Sequence, residues 1–101
     1  MIRPWQEDDR PFLRTLYLHA RRVAWPWLDN SEWQLEDFDA ATRDEQIWVA
    51  IHDGHRVGFA SVWENDNFLH NLFVDPLYQR LGVGRLLLEQ VQRTFTSTGA
   101  L

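Results

Sequence analysis

VDPLYQRLGVGRLLLEQV, residues 74–91, reads as the end of a strand, a turn at Asp75-Pro76, a loop with two close glycines and the opening of an amphipathic helix. From Gly82 or Gly84 onward, Val83, Leu87, Leu88, Val91 and Phe95 recur on one helical face, and Gly99 supplies a stop. A strand feeding such a loop leaves backbone N–H groups uncommitted at the helix start, where the helix dipole adds positive character, so the arrangement suits a phosphate. Gly82 and Gly84 let the main chain approach an anion without a Cβ in the way, and Arg80 and Arg85 are placed to add charge-assisted contacts. The same pattern also serves an ordinary helix start, and two glycines alone do not separate the two readings.

Two familiar phosphate loops are excluded by residue identity. A Walker loop needs Gly-Lys-Ser/Thr, and the chain contains no Lys; a dinucleotide fingerprint needs Gly or Ala three places after its second Gly, where Leu87 stands. The preceding segments also argue against a βαβ unit. IWVAI (47–51) and RVGFASVW (56–63) flank HDGH (52–55), whose Asp53-Gly54 is a hairpin turn signal, and FLHNLFV (68–74) supplies the next strand after the turn at ENDN (64–67). Upstream, IRPW (2–5) starts as a short strand. EDDRPFLRTLYLHARRVAW (7–25) places Phe12, Leu13, Leu16, Tyr17 and Ala20 at helical spacing, and Pro26 ends it. Ser31 offers an N-cap for a second, short helix in EWQLEDF (32–38). The predicted order is β-α-α-β-β-β-α, an α/β (α+β) arrangement.

With 101 residues, 45% hydrophobic and 25% charged, the chain is expected to form one domain, 1–101. It has no Cys, which removes disulfides, thiolate metal sites and thiol nucleophiles. The N-terminus lacks an apolar h-region and no apolar run approaches bilayer length, so a soluble, cytoplasmic protein without a membrane partner is expected. A net charge of −5 argues against nucleic acid as a partner. Between residues 29 and 45, Asp29, Glu32, Glu36, Asp37, Asp39, Asp44 and Glu45 face only Arg43, whereas Arg80, Arg85 and Arg93 follow Pro76. That split suits a cationic ligand near the middle segment and an anionic one near the glycine loop, although solvated helix faces produce it equally well.

LFVDPLYQRLGVGRLLLEQV (72–91) resembles the acetyl-CoA signature of the GNAT superfamily of N-acyltransferases, in which Arg/Gln-x-x-Gly-x-Gly/Ala follows a strand ending Val-x-Pro. Here the motif stands as Gln79, Gly82 and Gly84, and the order of elements agrees with the family along the whole chain. The resemblance implies acetyl-CoA as co-substrate, with the backbone of Leu72, Phe73 and Val74 bonding the pantetheine arm as an added strand would. Gln79, Arg80, Leu81, Gly82, Val83, Gly84 and Arg85 would then hold the pyrophosphate. It also implies a strand bulge, placed at Asn71 or Leu72, that opens a notch for the thioester. Leu72 and Val74 fit core packing too, since their side chains can be buried while their backbone binds ligand.

The implied reaction is direct attack of an amine on the thioester in a ternary complex, which suits a chain with no Cys for an acyl-enzyme. An ammonium must first lose a proton to a base. His70, on the third strand of the meander, is the candidate; Glu64 and Asp66, in the turn before it, are alternatives, and an exposed or structural histidine remains the plainer reading of His70. His19, His52 and His55 lack that placement, and no metal site is suggested. The acceptor, a small amine or a peptidyl amine, would meet RRVAWPWLDNSEW (21–33). There Trp25, Trp27 and Trp33 form an aromatic wall with Asp29, Glu32 or Glu36 adding charge, or else close the core beneath a loop.

The family pattern continues with a further strand, a helix and a closing strand pair, whereas this sequence ends at STGAL (97–101). The chain is therefore expected to be the N-terminal portion of a GNAT domain. The family's frequent general-acid Tyr is not matched by Tyr17 or Tyr78. The third meander strand would be left as an open edge, which pairing with another copy in a homodimer, or a longer parent chain, would each account for. The alternative to an enzyme is a non-catalytic remnant serving as an acyl-CoA-binding or protein-interaction module.

Overall fold

The computed structural model of the chain describes residues 1–28, 33–63 and 68–97. β1 (Ile2–Pro4), β2 (Gln46–His52), β3 (His55–Trp63) and β4 (Phe68–Val74) form one antiparallel sheet in the order β1-β2-β3-β4. α1 (Arg10–Ala24) and α2 (Asp37–Ala41) lie on one face, and α3 (Val83–Ser97) on the other. The period-two alternation of the strands sorts the two cores. Ile47, Val49 and Phe59 meet Leu13, Leu16 and Phe38 on the first face, while Ala50, Ala60 and Val62 meet Val83, Leu87 and Val91 on the second. Edge-to-face rings of Tyr17, Phe38 and Phe59 fill the α1–α2 side, with Phe73 stacked on Phe59.

The predicted element order is observed, with shifts that packing explains. α1 starts at Arg10 because Glu7–Asp9 forms a separate 3₁₀ turn. Its buried stripe is Leu13, Leu16 and Leu18. Phe12, expected on the core face, is 58% exposed and lies under the Arg56 guanidinium, 4.5 Å from the ring centroid. α2 begins only at Asp37, after Glu36; the expected cap, Ser31, lies outside the described residues. Phe38 anchors this single turn in the core, and the Asp37 carboxylate accepts from the Gln34 N–H at 3.0 Å. Among the described side chains of α3 the sheet covers Val83, Leu87 and Val91 and leaves Leu88 exposed, while the expected Phe95 side chain lies outside those described. Gly99 lies outside the described residues.

The N-terminal end is fixed by Asp9, whose side chain is wholly buried. It accepts two hydrogen bonds from Arg3 at 2.8 Å each, one from Arg56 at 2.6 Å and one from the Gln6 N–H at 2.7 Å. One carboxylate thus ties β1, the 3₁₀ turn and β3 together. The Arg3 guanidinium, with Arg56 and the Gln6 N–H, holds it well below the usual carboxylate range against the opposing effect of burial.

Candidate active site

The segment after β4 is built by local hydrogen bonds. The Asp75 side chain accepts from the Leu77 N–H at 3.0 Å and its carbonyl from the Tyr78 N–H at 2.8 Å, making a 3₁₀ turn over Pro76–Tyr78. Gln79 Nε2 then donates to the Val74 carbonyl at 3.3 Å, folding the chain back toward the strand. Arg80 (φ 71°) and Gly82 (φ 82°) both take the left-handed conformation, which glycine adopts freely and arginine only with strain. α3 follows at Val83. The Gly82 carbonyl accepts the first helical bond, from the Leu86 N–H at 3.0 Å, so Gly82 stands at the N-cap and brings no side chain to the donors of Val83, Gly84 and Arg85.

These residues converge. A cavity of about 410 Å³ is lined by Leu72 and Val74 of β4 together with Gln79, Arg80, Gly82, Val83, Gly84 and Arg85. Of the expected set, Leu81 is 57% exposed outside that lining, and Phe73 turns to the opposite face, its ring 5.4 Å from that of Tyr17. Phe73 instead borders an adjoining cavity of about 240 Å³ between β4 and the end of α1, shared with Leu72, Val74 and Gln79. The loop matches an anion chemically: uncapped helix N–H groups, the exposed guanidinium groups of Arg80 and of Arg85, whose Nε donates to Glu89 at 3.2 Å, and no carboxylate among the lining residues. β4 is the last strand of the sheet among the described residues, so its outer backbone edge borders the same space.

The strand bulge lies one position before its expected place. Ser61 pairs with Asn71 and Val62 with Leu69, leaving His70 as the extra residue. Asn71 is kept in register because its buried amide donates to Ser61 Oγ at 2.8 Å, so it cannot be the residue that slips. At the bulge, His70 Nδ1 sits 2.6 Å from Oε2 of Glu45, the residue just before β2. The Glu45 side chain is 5% exposed. Neither composition nor spacing singled out Glu45 from the acidic segment; the contact spans 25 residues of sequence and exists only once β2, β3 and β4 have paired. Glu64 and Asp66, the alternatives to His70, lie outside the described residues.

The acceptor wall is differently organised from the expected one. Trp33 is covered by the Arg21 guanidinium, 4.2 Å from its ring centroid, which also lies 5.3 Å from the ring of Tyr17. This chain's own cation thus occupies the face proposed for a substrate cation. Trp25 and Trp27 are 41% and 73% exposed and contribute nothing to the buried core, whereas Asp29 and Glu32 lie outside the described residues. Two carboxylates of the acidic middle segment are paired with α1: Asp39 binds Arg10 and Arg14, and Asp37 binds Arg21. Asp39 titrates below its usual range because of Arg14 and then Arg10. Asp37 and Asp39, expected to add charge for a cationic ligand, are thus already paired within the chain. Among the described residues, no three His, Asp or Glu side chains are grouped to hold a metal ion, and no helix is long and apolar enough to cross a membrane.

The sequence matches the Acetyltransferase (GNAT) family over residues 2–100. The chain belongs to the GNAT family. The peptidyl-lysine N-acetyltransferase YiaC of Escherichia coli (strain K12) is 33% identical over 98 residues, an overlap of 92% of this chain and 65% of the relative, so the chain spans just under two thirds of that relative's length. A GCN5-related N-acetyltransferase from Rhodopseudomonas palustris superposes with a TM-score of 0.77 at 25% identity, over 100% of this chain and 68% of its own. The PaiA N-acetyltransferase of Thermoplasma acidophilum, solved in complex with coenzyme A, shares the GNAT fold with a TM-score of 0.84 at 17% identity, over 100% of this chain and 74% of its own.

Proposed function

We propose that this protein uses acetyl-CoA to acetylate a primary amine, and that a peptidyl lysine is the acceptor to test first. The observation that carries the reading is the convergence of the open β4 edge, the exposed Arg80 and Arg85 and the uncapped start of α3 on one cavity. Family membership supports the transfer chemistry, and the name of the similar E. coli relative supports the lysine amine. In this reading the backbone of Leu72 and Val74 bonds the pantetheine amides, and the N–H groups of Val83, Gly84 and Arg85 meet the pyrophosphate with Arg80 and Arg85.

His70 acts as the base: it takes one proton from the acceptor ammonium, and the freed amine attacks the thioester carbonyl. The C–N bond forms, the C–S bond breaks, and the second proton of the amine goes to the departing thiolate. The histidine's proton is released to solvent, so one proton leaves per turnover.

The test is a thermal melt with and without acetyl-CoA, followed by assay of acetyl transfer to a lysine peptide. At a hundredfold excess over Kd, binding to the native state alone adds about 2.7 kcal/mol. A rise in melting temperature that is lost in Gly84→Asp supports the reading; an unchanged curve at saturating acetyl-CoA overturns it.

A further inference from the structure

Glu45 is a carboxylate whose side chain is buried without a guanidinium partner among the described residues. Its side chain is 5% exposed, yet its Oε1 has no hydrogen-bond partner among the described residues, and its Oε2 meets only His70 Nδ1. The guanidinium groups that could have neutralised it are committed elsewhere: Arg10 and Arg14 both bind Asp39, and Arg10 also binds Glu7. Arg43 and Asp44 share with Glu45, Arg10 and Asp39 the wall of a cavity of about 310 Å³, but neither is hydrogen-bonded to it among the described residues. A buried carboxylate with a single imidazole partner is costly for stability and calls for an explanation.

With Glu45 ionised, its carboxylate only accepts, so in the 2.6 Å contact Nδ1 carries the proton and a neutral ring has its lone pair on Nε2. Because His70 is the extra residue of the bulge, its ring is not constrained by strand register alone. Glu45, anchored at the mouth of β2 by its own N–H to the Thr42 carbonyl at 3.0 Å, restrains that ring at Nδ1. We propose that Glu45 is a positioning residue: it holds His70 in the Nδ1–H tautomer, presents Nε2 as the proton acceptor and stabilises the imidazolium formed when the amine is deprotonated. The proposal rests on the acetyltransferase reading for its purpose, but its structural content is independent of any acceptor.

The decisive experiment is a long-range ¹H–¹⁵N spectrum of the histidine side chains of the 101-residue chain, with His70 assigned by loss of its signals in His70→Gln. The spectrum is recorded at a pH where the ring's own ¹⁵N shifts show it to be neutral, so that the two tautomers are read directly. The expected result is an Nδ1–H ring in the wild type that changes its tautomer balance in Glu45→Gln, a near-isosteric variant checked for folding by circular dichroism. An Nε2–H ring in the wild type, or a balance unmoved by Glu45→Gln, overturns the proposal.

Where acetyl transfer to a lysine peptide is measurable, Glu45→Gln is expected to lower kcat/KM by about 10–100-fold, as loss of an outer hydrogen-bond partner does. The Glu45→Gln/His70→Gln double variant should be no slower than His70→Gln alone, because Glu45 acts through that ring. Multiplicative losses would show that Glu45 acts by another route and overturn the proposal. Absence of transfer by the wild type, with the expected tautomer present, would refute the acceptor chemistry while leaving the Glu45–His70 assignment supported.

Discussion

Asp9→Asn tests the claim that one buried carboxylate fastens the N-terminal third of the fold. The native side chain, 0% exposed, accepts four hydrogen bonds, three of them from two guanidinium groups. Asparagine keeps the shape but replaces one acceptor oxygen with an NH₂ that points at donors, and it removes the charge opposite Arg3 and Arg56. Removing one partner of a buried ion pair costs about 3–5 kcal/mol. The guanidinium groups here are 24% and 26% exposed, so water recovers part of their solvation and the low end, about 3 kcal/mol, is expected. For a domain of this size that corresponds to a fall in melting temperature of about 12–24 °C.

The same residue sets a pH dependence. The folded-state carboxylate titrates below its unfolded value, so the native state holds fewer protons than the unfolded one and the contribution is complete above the unfolded value, about 3.9. It is lost as pH falls below that value toward the folded one. Urea titrations of wild type and Asp9→Asn should therefore differ most at about pH 6 and converge as pH drops below about 4. A loss under about 1 kcal/mol, or a gap that stays constant from pH 6 to 3, would refute the reasoning.

Three further outcomes are expected. Gly58→Ala places a Cβ 2.8 Å from the Phe73 carbonyl oxygen, a backbone atom of β4, and 3.4 Å from Leu87 Cδ1; urea unfolding should show about 1–3 kcal/mol of destabilisation, and a neutral substitution would mean that the β3–β4 spacing is not set there. Arg80→Gly releases a left-handed arginine and should gain about 1 kcal/mol of stability while shrinking the melting shift given by acetyl-CoA; a variant that binds acetyl-CoA as the parent does removes Arg80 from the anion site. Gly84→Ala should leave stability unchanged or higher, since its Cβ would meet only Val74 Cγ2 at 3.6 Å, whereas Gly84→Asp should fold equally well, with its carboxylate at a helix start, yet lose the acetyl-CoA shift. Unfolding of Gly84→Asp would refute the claim that this glycine serves a ligand.

Legibility from sequence followed the range of the interaction. The turn at Asp75, the two loop glycines and the i, i+4 stripe of Val83, Leu87 and Val91 are local patterns, and the observed loop and helix follow them. The bulge depends on a tertiary bond: Ser61 captures Asn71, which pushes the irregularity onto His70. Phe12 illustrates the same limit, because helical spacing alone does not disclose that Arg56, 44 positions away, will cover its ring outside the core. The acidic segment read as a ligand site for an equivalent reason: its partners are arginines of α1, at separations of 16 to 29 residues, and only folding cancels the two charges.

The glycines carry the last step from fold to function. Gly58 is explained wholly from inside the molecule, since a Cβ there would strike the neighbouring strand, and Gly82 by a backbone angle that side chains resist. Gly84 has neither reason: it lies within α3, where glycine lowers helix stability, and the space beside it would take a methyl group in ordinary contact with Val74. A residue that the fold does not require, placed where uncapped N–H groups, two arginines and an open strand edge meet, points to something outside the chain approaching its backbone. Coenzyme A fits that approach, its phosphates against the helix start and its amide-bearing arm along β4. The arm would run from the anion site toward the bulge, four residues up the strand from Val74, where His70 and Glu45 meet. On that proposed geometry a strand edge, a helix start and a bulge, each unremarkable alone, would bring the thioester to the proposed base, His70.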